Sequence, residues 1–259
     1  MKEINAVLTI AFRDITKLFR DRTRIVASLI FPVIFIGVLG TSLQQNLGAN
    51  LGYNFLTFIF IGVVAQTLFQ STAAGIISLV EDRQNDFAQE MFIAPISRYS
   101  ILIGKILGET LVSFVQIIGV LLFAFIIRIP LDIPSLLRLL PFILIVSMFG
   151  GAFGVFVMSF MNDQRAANQI FPFVLFPQFF LAGVFNPIKD LPLPVLIASR
   201  ISPMTYGVDL LRSVYYYGKP EYAKTVLFNP AIDIAVCLIA GLIFLLIGTY
   251  VFVKKERDR

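Results

Sequence analysis

The 259-residue chain has no histidine, no tryptophan and a single cysteine, and its charged residues amount to only 14%. Without histidine, the commonest metal ligand and the usual general base near neutral pH are missing. One cysteine, Cys237, excludes an intrachain disulfide. The phosphate-binding loop is missing too: Gly104-Lys105 has Tyr99 where the first glycine should stand, and no Ser or Thr follows the lysine. No Gly-x-Ser-x-Gly or His-Glu-x-x-His motif occurs. The sequence therefore predicts no catalytic residue, no metal site and no cofactor bound by this chain. No pair of carboxylates falls within the apolar runs, which disfavours a self-sufficient proton- or sodium-coupled pump.

What the chain does have is apolar length. It is 58% apolar with a mean hydropathy of +0.86, against ~25% charged residues in an average soluble domain. No charge occurs from Ile25 to Val80, nearly three times the ~20 residues one bilayer crossing needs. The charge-free runs predict an all-α polytopic membrane protein with six transmembrane helices: Ile25 to Leu43, Phe55 to Val80, Thr110 to Ile127, Leu139 to Met161, Gln169 to Ile188 and Ile234 to Val253. The first two are separated by the polar turn Gln44 to Asn54. The third is expected to begin near Ile101, with Lys105 snorkelling to the headgroups and Glu109 nearby. Residues 1–24 form a cytoplasmic interfacial segment, 25–253 the transmembrane domain and 254–259 a basic tail.

Sidedness follows from Lys and Arg. Lys2, Arg13, Lys17, Arg20, Arg22, Arg24, Arg83, Arg98, Lys105, Arg165, Lys254, Lys255, Arg257 and Arg259 fall on the side of the termini. Arg128, Arg138, Lys189, Arg200, Arg212, Lys219 and Lys224 fall opposite, five of them in one long loop. Both termini are expected in the cytoplasm, in a multi-pass protein of the plasma or inner membrane. The net charge of +5 then reports anchoring rather than nucleic-acid binding. The long basic start lacks a small-residue cleavage signal, so the N-terminus is expected to be retained.

Three stretches outside the spans have their own texture. Ile4, Val7, Leu8, Ala11, Phe12, Ile15, Leu18 and Phe19 recur at helical spacing opposite Lys2, Arg13, Asp14, Lys17 and Arg20, an amphipathic helix lying on membrane lipids or docking a partner. The loop 81–98 (EDRQNDFAQEMFIAPISR) places Phe87, Met91 and Phe92 on one face of a short cytosolic helix ended before Pro95. The segment 186–230 is cut by Pro187, Pro192, Pro194, Pro203 and Pro220 into apolar pieces too short to cross, which fits re-entrant or outer helices. An outer aromatic belt accounts for Tyr206, Tyr215, Tyr216, Tyr217 and Tyr222.

Within the spans the polar residues are mostly neutral. Gln66 and Gln70 stand one turn apart on the second, and Glu109, Ser113 and Gln116 share a face of the third. They serve either as interhelical hydrogen bonds or as the lining of a substrate path. Gly150-x-x-x-Gly154, beside Gly151 and Ser147, and Gly104-x-x-x-Gly108 permit close helix packing.

In their order these features resemble the membrane subunit of ATP-binding cassette exporters of the type-2 permease family. The resemblance rests on Arg20-Asp21-Arg22 before a span containing Pro32 and on Glu81-Asp82-Arg83 with Glu90-Met91-Phe92-Ile93-Ala94-Pro95-Ile96-Ser97-Arg98 and Gly104-Lys105. It rests also on Phe180-Leu181-Ala182-Gly183-Val184-Phe185-Asn186-Pro187-Ile188, Ser202-Pro203-Met204-Thr205-Tyr206 and Asp209-Leu210-Leu211-Arg212. Met91 stands where leucine is common. The resemblance implies a homodimer served by two copies of a separate ATPase subunit, which holds the ATP and Mg. It makes 81–98 the coupling helix, with Phe87, Glu90, Met91, Pro95 and Arg98 at the ATPase contact. Gly183, Pro187, Pro203, Tyr206, Asp209 and Arg212 carry the outer signature. The spacing is most similar to multidrug and daunorubicin-resistance permeases, which implies export of a hydrophobic or amphipathic, drug- or lipid-like cargo. Exporters of O-antigen or teichoic-acid polysaccharide are the alternative within the family. A stand-alone secondary transporter or channel, or a membrane-embedded enzyme or structural protein, is the alternative outside it.

Overall fold

The computed structural model describes residues 2–79, 97–161, 164–189 and 191–257. Helices α1 (Lys2–Arg20) and α2 (Arg22–Val33) are separated at Asp21, whose carboxylate accepts from the Arg24 N–H and so caps α2. Pro32 removes one backbone donor from α2, and a π-helical stretch, Ile34–Gly40, follows directly before α3 (Thr41–Leu51). The expected turn Gln44 to Asn54 is much shorter than its polarity suggests, because helix persists to Leu51. Gly52, at φ 70°, supplies the left-handed C-cap. The amide oxygen of Gln44 then accepts from the Phe55 and Leu56 N–H groups (2.7 and 3.2 Å) at the start of α4 (Phe55–Gly75).

After α4 come α5 (Arg98–Ile126), α6 (Ile133–Ser159) and α7 (Gln164–Leu181), then the short α8 (Leu193–Ile201), α9 (Pro203–Tyr215) and α10 (Tyr222–Thr225), and finally α11 (Pro230–Arg257). No strand occurs among the described residues. Among the described residues, five helices are long and apolar enough to cross a bilayer: 22–46, 55–79, 98–126, 133–159 and 222–255. The expected fifth crossing differs. Its helix, α7, spans 18 residues, carries Pro172 and Pro177, opens on polar residues and stops at Leu181, where Gly183 (φ 71°) turns the chain.

The helix most deeply placed is α4, whose residues Phe58 to Val63 are fully buried. It packs against α5, α6 and α9. Small residues set the distances: a Cβ on Gly150 would lie 2.4 Å from the Phe69 carbonyl oxygen, and one on Gly154 2.5 Å from that of Ala73. The backbones of α4 and α6 therefore touch, as the spacing predicts. Helix α11 closes the bundle against α6, with Gly248 against the backbone of Phe156. Ser97 caps α5, and its own N–H donates to Glu3 of α1 (3.1 Å). Both chain ends and the start of α5 thus share one end of the bundle, while the short helices α8 to α10 gather at the other.

Candidate functional site

The N-terminal helix does more than lie on a surface. Val7, Ala11, Asp14 and Leu18 follow one another at four- and three-residue steps, and this face of α1 packs along the first turns of α5. The packing is close because α5 presents Gly104 and Gly108: a Cβ there would lie 3.1 Å from the Cα of Val7 and 2.8 Å from an Asp14 oxygen. A second apolar stripe on α1, with Ile4, Leu8, Phe12 and Phe19, stays exposed.

Asp14, expected on the solvent face, is instead 2% exposed and accepts from the Lys105 ammonium at 2.8 Å. Lys105 does not snorkel, being equally buried. It also pairs with Glu109 at 3.0 Å, one turn along α5, and Glu109 accepts from Arg24 of α2 at 3.0 Å. Arg13 joins through Asp14 at 3.2 Å. Charges removed from water are retained only when paired, so this alternating chain fastens α1, α2 and α5 together. Gly75 of α4 makes room for it, since a Cβ there would lie 2.1 Å from the Glu109 carboxyl carbon.

The polar stripes are divided by the structure. Gln66 and Gln70 of α4 and Gln116 of α5, with Ser28 and Pro32 of α2 and Ser71, line one cavity of about 230 Å³. Gln66 is 1% exposed, donates to the Gln70 amide oxygen at 3.3 Å, and leaves its own oxygen without a partner. Glu109 is taken up by its ion pairs. Ser113 turns to α6, bonding the Thr110 carbonyl at 2.7 Å and lying 3.3 Å from the Ser147 hydroxyl.

At the opposite end the outer signature forms a second buried polar cluster. Arg212 of α9 is 2% exposed and donates to the carbonyls of Gly183 (2.7 Å), Val184 (3.0 Å) and Phe58 (3.4 Å), with its guanidinium 3.6 Å from the Phe58 ring centre. Gly62 opens the notch it occupies. Asp209, one turn earlier, accepts from the N–H groups of Leu227 and Phe228 at 2.8 and 2.7 Å. Burial raises its carboxyl above the usual carboxylate range, and these two donors oppose the rise. Asp233 of α11 is fully buried beside Asp209. Asp209 lies in the short helix α9 and Asp233 stands immediately before the expected span Ile234 to Val253, so these carboxylates, 24 positions apart in the chain, meet through the fold at this end of the bundle.

Pro203 begins α9, and Tyr206 donates to the Arg200 carbonyl at 2.8 Å while stacking on Phe228. Gly183 supplies the turn after α7, and Pro187 follows within the same connection. Tyr215 and Tyr216 are 2 and 3% exposed, so these two belong to the core rather than to an outer belt. Asp132, at the exposed start of α6, is held below the usual carboxylate range by the Ser135 hydroxyl, with Lys219 adding to the effect. Of the expected ATPase contact, Phe87, Glu90, Met91 and Pro95 lie outside the described residues. Arg98 begins α5. Asp14, Lys105, Arg24, Gly62, Gly75 and Asp233 are residues of these clusters that the sequence alone does not single out as site residues. The one available signal was Asp14 at the step that links Ala11 to Leu18.

Residues 5–216 match the model of the ABC-2 type transporter family. The chain is also 24% identical over 257 residues to transport permease ycf38 of Cyanophora paradoxa, covering 97% of this chain and 89% of that protein. It is 24% identical over 265 residues to the protein of the same name from Porphyra purpurea, covering 97% and 87%. With the helical bundle and the apolar spans already described, a match over that much of its length establishes that the chain belongs to the ABC-2 type transporter family of membrane permeases.

Proposed function

We propose that this chain is the membrane subunit of an exporter that moves a hydrophobic or amphipathic molecule out of the cytoplasm or the inner leaflet, driven by ATP hydrolysis on a separate ATPase subunit. The observation that carries the reading is the glutamine-lined cavity between α2, α4 and α5. Three amides and three hydroxyl residues lining one space, with Phe31 on its wall, suit a cargo that is largely apolar with a few polar groups. An unsatisfied amide oxygen on Gln66 leaves an acceptor free for such a cargo.

The family supplies transport without an ATP site in the membrane subunit, and an ATPase partner in general terms. Two copies of each subunit, six crossings with α7 as the fifth, cytoplasmic termini and a plasma- or inner-membrane location complete the proposal. The segment 81–98 serves as the coupling helix, with Phe87, Glu90, Met91, Pro95 and Arg98 at the ATPase. Its force reaches the bundle through the Ser97–Glu3 contact and the ionic chain on α1 and α5. Closure of the ATPases shifts the permease only insofar as their ATP-bound form prefers one of its conformations. The amide lining also suits a hydroxyl-rich polymer, which keeps polysaccharide export as the second reading.

The test is ATP-driven uptake into inverted membrane vesicles of a fluorescent amphipathic cation and of a lipid-linked oligosaccharide, with wild type and Gln66→Leu. Uptake of the cation, lowered in the variant at equal expression, supports drug- or lipid-like cargo. Uptake of the oligosaccharide alone overturns that cargo class, and uptake of either at wild-type rate by Gln66→Leu removes the cavity from the path.

A further inference from the structure

Among the described residues, Asp209 and Asp233 form a buried pair of ionisable groups to which no cation is bonded. Both oxygens of Asp233 are buried and lack a hydrogen-bond partner among the described residues, and the side chain is 0% exposed. It lies within hydrogen-bonding reach of Asp209. Asp209 already takes one N–H on each oxygen, from Leu227 and Phe228, the arrangement of an ionised carboxylate.

The charged and titratable groups around the pair leave it uncompensated. Arg212 and Lys189 act on Asp209 at range, but Arg212 directs Nη1 and Nη2 to three backbone carbonyls and Lys189 donates to the Ala223 carbonyl at 2.9 Å. Tyr206 of α9, Tyr222 of α10 and Cys237 of α11 face the pair as neutral groups. Arg138 of α6 stands beside Pro230 and Ile234 around the start of α11. Two ionised carboxylates in such contact repel, and a proton shared between them removes the repulsion.

We propose that Asp209 and Asp233 form a proton-binding site that latches α9 and the Leu227–Phe228 connection to the first turn of the last membrane helix. Asp233 is the protonated member and donates its O–H to the Asp209 carboxylate. Loss of that proton at alkaline pH leaves two facing anions and loosens the contact between the outer helices and α11. A proton from the outer side thereby stabilises one arrangement of the helices that sit over the bundle, independently of the cargo.

Infrared difference spectroscopy on the full-length protein in lipid nanodiscs reads the proton directly, through the C=O stretch of a protonated carboxyl and its shift in heavy water. The wild type is expected to show this band at neutral pH and to lose it as pH rises; thermal stability falls with pH from the ordinary carboxylate range upward and levels off once the band is lost. Stability falls in that direction because the folded state holds a proton that the unfolded chain releases. In Asp233→Asn the amide replaces the O–H donor, so the band is lost and the pH dependence of stability flattens. Absence of the band from the wild type at neutral pH overturns the proposal, as does its persistence in Asp233→Asn. Stabilisation by sodium without any band also overturns it, in favour of a cation site. The wild-type titration needs no variant and decides the matter even where Asp233→Asn does not fold.

Discussion

The two ends of the bundle bury charge in opposite ways. At the end holding the chain termini, Asp14, Lys105, Glu109 and Arg24 alternate in sign and satisfy one another across three helices. At the other end Arg212 is balanced by carbonyl dipoles, and Asp209 and Asp233 face each other without a bonded cation. Both arrangements lean on the same helix. Gly75 and Gly62 of α4, about 20 Å apart along its axis, are the notches that admit Glu109 and Arg212. The first end is a strut whose charges mainly hold helices in place, and the second carries a group able to change its charge.

Removing a member of the strut should produce the largest effect. Lys105→Met removes the buried cation that Asp14 and Glu109 share, leaving them only the more exposed Arg13 and Arg24, and is expected to cost about 3–5 kcal/mol, read as a drop in thermal unfolding temperature in detergent. The triple replacement Asp14→Leu, Lys105→Met, Glu109→Leu should recover most of that loss, since an apolar set of similar volume substitutes for a buried ion network. Failure to recover would show that the charges supply more than mutual neutralisation.

The strut was only partly legible in the sequence. Glu109 is marked by its place in an apolar span, and Gly104 and Gly108 by their spacing, but nothing local says which helix fills the notch. A helix of mixed polarity such as α1 reads as a surface element, because composition cannot tell a carboxylate facing water from one facing a lysine 91 residues away. The same holds at the other end. The order of prolines foretells the broken helices α8 to α10, yet the meeting of Asp209 with Asp233 depends on how α11 returns against α9. The fifth expected crossing is less plain for another cause: Pro172, Pro177 and the polar first turn leave α7 less apolar than the five long helices, so the charge-free run Gln169 to Ile188 extends past the end of its helix at Leu181.

At the second end, Arg212→Lys should cost about 1.5–3 kcal/mol, because an ammonium cannot reproduce the planar fork that reaches three carbonyls. The two notches offer a matched pair of smaller tests. Gly75→Ala and Gly62→Ala should each cost about 1–3 kcal/mol through overpacking. Gly62→Ala should be the more damaging, since its Cβ meets the Val184 carbonyl at 2.8 Å as well as a guanidinium nitrogen. Equal effects would mean that the pinned Glu109 carboxylate is as immovable as backbone.

The smallest effects should come from groups outside these clusters. Gln66→Leu is expected to change unfolding by about 1 kcal/mol or less while lowering transport, which separates the cavity from the strut. Asp132→Asn should leave the unfolding temperature at neutral pH unchanged within error, because its contacts with Ser135 and Lys219 are open to water. Its pKa is lowered in the folded protein, so whatever it contributes is present above the carboxylate range and fades as pH falls through the folded value.

The central claim is that this permease works only with an ATPase supplied by another chain. The most direct measurement purifies the tagged protein from its native membrane, identifies stoichiometric partners, and compares transport in proteoliposomes holding the chain alone or with the recovered partner. An ATPase should copurify, its association should weaken in Glu90→Lys, and transport should require both proteins and ATP. Robust transport by the chain alone under an ion gradient, with no ATPase recovered, would contradict the account.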